Sequence, residues 1–170
     1  MRRTLKKWGL GSRGSILVPE PAFVKALSTA VPILEPFEAL RIDDPDLPAD
    51  LSEQLWHVIR SLGVVENEAK LVAGTKTLHH LLPGLVVPMD RAWTGFRFFD
   101  LQDSEWQQDA NQRRIFPWMY GHFMHIAQQV QPEQYGTGER WRTSRSKILD
   151  NALIGFCMRG GGQTASATRP

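Results

Sequence analysis

The sequence predicts an all-α fold, a compact single-domain helical bundle, on three observations. Apolar residues recur at helical spacing in one segment after another, and no alternation is long enough to build a sheet. With 42% apolar residues, the 170-residue chain suffices for one good core and is too short for two ordinary domains.

Residues 1–15 read as a basic flexible arm, because Arg2, Arg3, Lys6, Lys7 and Arg13 come without an acid and glycines and serines interrupt the run. Residues 16–159 form the helical domain. Pro19 and Pro21 introduce a short helix over residues 22–28, and residues 32–48 read as irregular structure holding one more short helix. Residues 50–62 follow as a helix whose Leu51, Leu55, Ile59 and Leu62 make one stripe, with Gly63 as its stop. A second helix spans 66–82, carries Leu71, Val72, Leu78 and Leu82, and ends at Pro83-Gly84. Leu85, Val86 and Val87 then run extended into Pro88, which disfavours helical geometry before it, and Asp90 opens a helix over 91–99. Further helices are expected near 104–114, 118–131 and 144–158, and residues 160–170 read as a flexible tail.

Charge is more informative by position than by its total of +2. The N-terminal segment and the last third, with Arg140, Arg142, Arg145, Lys147 and Arg159, are basic, whereas 35–68 is acid-rich. A fold that gathers the two ends would present a basic face suited to phosphates. No apolar run has membrane-spanning length and no signal-like start is present, so no membrane partner is expected. The single Cys157 excludes an intrachain disulfide and a cysteine-held iron–sulfur cluster, and makes the cytoplasm the simplest compartment. His79 and His80 are adjacent and point about 100° apart on a helix. His122 and His125 lack an HExxH partner pattern, so no metal or other cofactor is expected.

The chemistry concentrates between Gly74 and Asp90, where Lys76 and a carboxylate flank an apolar helix and a proline-bounded turn. Gly74-Thr75-Lys76, the apolar helix, Val87-Pro88-Met89-Asp90 and Trp93 together resemble the core of the helix-hairpin-helix DNA glycosylases, particularly the 8-oxoguanine branch. The resemblance covers about twenty residues and implies an all-helical enzyme that flips a damaged or modified base from duplex DNA and cleaves its bond to the sugar. It implies that Asp90 stabilises the developing sugar cation and that Lys76 attacks the anomeric carbon in the lyase-active manner. The family's Gly-x-Gly hairpin is here Val72-Ala73-Gly74, with one glycine of the pair, and the lysine-to-aspartate interval is shorter by about one helical turn. Some bacterial glycosylases related to this fold remove hypermodified pyrimidines, such as glucosylated hydroxymethylcytosine, from phage DNA, a role the resemblance permits.

The residues also carry a chemistry of their own. Glycosidic cleavage builds oxocarbenium character, which a fixed carboxylate in a water-poor site stabilises, and a lysine forms an imine with a sugar carbon only once its pKa is lowered. Asp90 also suits an N-cap, and the two roles are compatible. Lys76 is a nucleophile on one reading and a phosphate contact on the other. Gly74, Thr75, Arg91, Arg142 and Lys147 are the remaining candidate DNA contacts. Among six tryptophans, Trp93, Trp106, Trp118 and Trp141, with Phe98, Phe99, Phe116 and Tyr120, offer flat surfaces for an extruded base. Trp93 is the first choice, followed by Phe99 and Trp118. In the last helix, Lys147 and Asp150 are spaced to pair, and Asn151 either completes that polar set or reads a flipped base. The expected partner is double-stranded DNA, bound by a monomer. The competing classes are a non-catalytic nucleic-acid-binding module and a helical interaction domain.

Overall fold

The computed structural model describes residues 1–11, 14–139 and 143–161, and these form an all-α domain. Helices α1 (Arg2–Lys7), α2 (Glu20–Leu34), α3 (Leu51–Ser61) and α4 (Lys70–Leu81) lead into a π-helix over Arg91–Phe98. Helices α5 (Asp103–Gln107), α6 (Asp109–Val130) and α7 (Arg145–Met158) follow. Among the described residues the one β-type pairing is an antiparallel bridge between Leu17 and Val65. No helix there is long and apolar enough to cross a membrane.

The centre of the molecule is α3 packed on α4 and α6. The stripe in α3 is buried as its spacing predicts, with Leu51, Leu55 and Ile59 inside and Trp56 against Phe116 at 5.8 Å. Gly63 ends the segment at φ +60, a backbone region where a side chain is strained. Gly74 lies inside α4 rather than at a hairpin turn. A Cβ there would fall 2.6 Å from Ile59 Cγ2, so the glycine lets α3 and α4 approach each other. Its amide is spent within the helix, and the residue is buried, so it cannot dock a DNA phosphate.

Three segments depart from the sequence reading. α2 runs on through Pro32 to Leu34, and α6 is one helix through Pro117 where two were expected, its start being set by the extended Gln108. In both cases the residue four positions before the proline, Ser28 or Arg113, is exposed. Water can therefore take the carbonyl that the proline leaves unbonded. The supposed arm contains α1, anchored by Leu5 and Leu10 at 0% and 2% exposure and by a hydrogen bond from Arg2 Nε to the Val18 carbonyl, 3.2 Å. Of the supposed tail, residues 162–170 lie outside the described residues, as do Arg13, Arg140, Trp141 and Arg142.

The extended link 85–89 passes through the core, where every backbone polar group needs a partner. Tyr120 donates its hydroxyl to the Leu85 carbonyl at 3.0 Å, and Met89 N–H donates to Thr75 Oγ1 at 3.1 Å. His79 Nδ1 lies 3.0 Å from the Val86 carbonyl, which can only accept, so Nδ1 carries the proton. Gln112, fully buried in α6, accepts from Leu71 N–H at 2.8 Å and donates to the carbonyls of Trp106, at 2.9 Å, and Glu68. Tyr120, Thr75 and His79 fix the path that returns Asp90 to the side of α4, and Gln112 ties the start of α4 to α5 and α6.

Candidate active site

Lys76 from α4 and Asp90 at the start of the π-helix line one cavity of about 530 Å³. Its other walls come from Trp8, Gly9 and Leu10 after α1, from residues 67–69, and from Trp93, Phe96 and Trp106. The cavity therefore joins an amine, a carboxylate and four aromatic rings. Trp106 is 6% exposed, and its indole Nε1 has no hydrogen-bond partner among the described residues.

Asp90 is held by its own cap. Its Oδ1 accepts from Trp93 N–H at 2.7 Å, and its backbone N–H donates to Thr94 Oγ1 at 3.2 Å. The cap uses one carboxylate oxygen, so a structural and a chemical role coexist in one residue. The helix it opens is wound wider than an α-helix: Gly95 N–H bonds the Asp90 carbonyl and Phe99 N–H the Thr94 carbonyl, at 3.0 and 3.1 Å, both five residues back. Gly95 permits the indole of Trp106 to lie against that backbone, since a Cβ would fall 2.3 Å from Trp106 Cζ2.

Lys76 Nζ donates to the Trp8 carbonyl at 3.0 Å. Burial pushes its pKa below the ordinary 10.5, the carboxylates of Asp90 and Asp150 oppose that shift, and Lys147 adds to it. An ion pair on α7 also acts on Lys76. Lys147 Nζ lies 2.5 Å from Asp150 Oδ2 and 5.4 Å from the Trp8 ring centroid. Burial raises the Asp150 pKa while Lys147 pulls it down, and Asp90 adds to the rise. The Trp8 ring also contacts those of His80 and His79, at 4.6 and 5.6 Å. Trp8 thus connects the two lysines, one through its carbonyl and the other through its ring.

Of the sequence candidates, Lys76, Asp90, Trp93, Arg91 and the buried Trp106 line the cavity. The Arg97 guanidinium lies 4.7 Å from the Trp93 ring centroid. Arg91 is exposed at the rim, 3.3 Å from Asp103 and 5.6 Å from the Phe96 ring centroid. The others are elsewhere. Phe99 is 1% exposed and packs on Trp118 at 4.9 Å, so both rings belong to the core contact between the π-helix and α6. Thr75 is fully buried, clipping Met89. Lys147 is held by Asp150, and Asn151 lines a separate apolar groove with Phe98, Phe123 and Phe156. Arg142 lies outside the described residues.

Sequence reasoning missed Trp8 and Asp150 as site residues. Trp8 was hidden in the supposed arm, and its contact with Lys76 uses a backbone carbonyl, which leaves no side-chain signature. Asp150 had a signal, its spacing to Lys147, but nothing that tied α7 to Asp90. No grouping of three or more His, Cys, Asp or Glu among the described residues could hold a metal ion. No family model, curated protein or solved structure matches this chain.

Proposed function

We propose that the protein is a DNA N-glycosylase that receives a damaged or modified base, flipped from the duplex, in the Lys76–Asp90 cavity and cleaves its bond to the sugar. The observation that carries this reading is the convergence of a desolvated amine and a fixed carboxylate in one aromatic-walled cavity of about 530 Å³. Trp93 offers a face for the base, which leaves the stack at a cost of a few kcal/mol that such contacts offset. As the glycosidic bond lengthens, positive charge grows on the sugar and Asp90, partly withdrawn from water, stabilises it. Lys76 is half-buried, its amine held on the Trp8 carbonyl rather than spread on the surface, which favours a nucleophile over a phosphate contact.

The test is excision from genomic DNAs that differ in base modification, glucosylated hydroxymethylcytosine included, with mass spectrometry of the released bases. Asp90→Asn keeps the cap and removes the charge, so base release should fall by about 100-fold or more while folding and DNA affinity persist. Lys76→Ala should abolish the protein–DNA adduct that borohydride traps. Release at the wild-type rate by Asp90→Asn would make the carboxylate structural and end the proposal. DNA binding without release from any of these DNAs would leave a non-catalytic module.

A further inference from the structure

We propose that α1 is a DNA-backbone clamp, whose exposed Arg3, Lys6 and Lys7 take phosphates of the duplex beside the cavity mouth; for its partner the clamp rests on the glycosylase reading. At 3.6 residues per turn these three side chains fall within about 100° of arc, on the side of α1 away from the buried Leu5. No ion pair among the described residues engages them. Of the other cations near the cavity, Arg91 is paired with Asp103, Lys70 with Glu68 and Asp109, and Lys147 with Asp150, while Arg97 lies over the Trp93 ring. Arg145, in the basic last third, pairs with Asp43 and Glu133. Three cations without an ion pair among the described residues therefore gather on one short helix.

That helix adjoins the cavity by chain continuity. The residues that leave α1, Trp8 to Leu10, form a wall of the site, and the Trp8 carbonyl holds Lys76 Nζ at 3.0 Å. From Arg3 to Lys7 the helix rises about 6 Å, a length over which one DNA strand presents about two phosphates, and long side chains reach a third. A duplex seated on this face has its backbone fixed next to the place where a flipped base would enter. The clamp supplies the phosphate contacts that a hairpin at Gly74 cannot.

Affinity of the full chain for a fluorescent duplex is measured across a salt series. Each phosphate contact contributes about 0.9 to the slope of log K against log salt. Replacing Arg3, Lys6 and Lys7 together by Ala should reduce that slope by about 2 to 3, with the melting temperature unchanged because all three are exposed. Lys25→Ala, an exposed lysine on α2 that does not line the cavity, is the control and should leave the slope in place. An unaltered slope in the triple variant, or an equal loss per charge in Lys25→Ala, overturns the clamp. Wild-type protein without salt-dependent binding overturns both the clamp and the glycosylase reading. A slope that falls as expected, in a protein that releases no base, sustains the clamp and sinks only the catalytic reading.

Discussion

Lys76 is the residue on which the site's chemistry turns, because an amine attacks carbon only in its neutral form. Burial lowers its pKa, and Asp90 and Asp150 restrain the fall. The pH profile of the borohydride-trapped adduct should therefore reach half-maximum below the ordinary lysine value of 10.5. Asp150→Asn removes one restraining carboxylate, so the half-maximum should move to lower pH still. A profile that stays where it was would show that Asp150 has no electrostatic reach to Lys76.

At the scale of elements, the π-helix and α4 show how close approach is encoded by glycine. Gly95→Ala would set a Cβ 2.3 Å from a rigid indole, and the expected destabilisation is about 1–3 kcal/mol in urea unfolding. A midpoint unchanged from wild type would mean that Trp106 has room to retreat. Elements with strong periodicity were legible in the sequence: α3 and α7 stand within a residue or two of their expected bounds. α6 was split at Pro117 and α2 cut short before Pro32, because a proline's local preference says nothing about the exposure of the carbonyl it leaves unbonded. Lys76 and Asp90 were legible as a pair because their motif is contiguous. α1 was not, since Leu5 and Leu10 find their places only in the assembled core.

For the whole molecule, His79 ties together the parts that build the site. Its Nδ1 meets the Val86 carbonyl of the core link and Ser146 Oγ of α7, at 3.0 and 2.9 Å, and its ring touches Trp8. Burial depresses its pKa from 6.5 to about 4, with the bond to Val86 opposing. The unfolded chain therefore binds this proton near pH 6.5, and the folded one only near pH 4. Stability is fully present above pH 6.5 and is lost as pH falls toward 4, by up to about 3 kcal/mol from this group. Denaturant midpoints measured from pH 7 to 4 should decline accordingly, and His79→Gln should flatten the decline. A slope as steep in the variant would assign the acid sensitivity to other groups.

The three hydrogen bonds of Gln112 have a bearing on how the domain breathes. One side chain satisfies the Leu71 amide in the first turn of α4 and the carbonyls of Trp106 and Glu68, all from within α6. First-turn amides have no helical partner and ordinarily exchange with solvent deuterium early. Leu71 should instead exchange with the slow protons of α6, since its amide is freed only when that helix lets go. In Gln112→Leu, with both ends of the clip removed, the Leu71 amide should exchange orders of magnitude faster while the middle of α6 stays slow. Equal exchange in variant and wild type would mean that the start of α4 opens independently of α6. The floor of the cavity and the long helix behind it would then be two cooperative units instead of one.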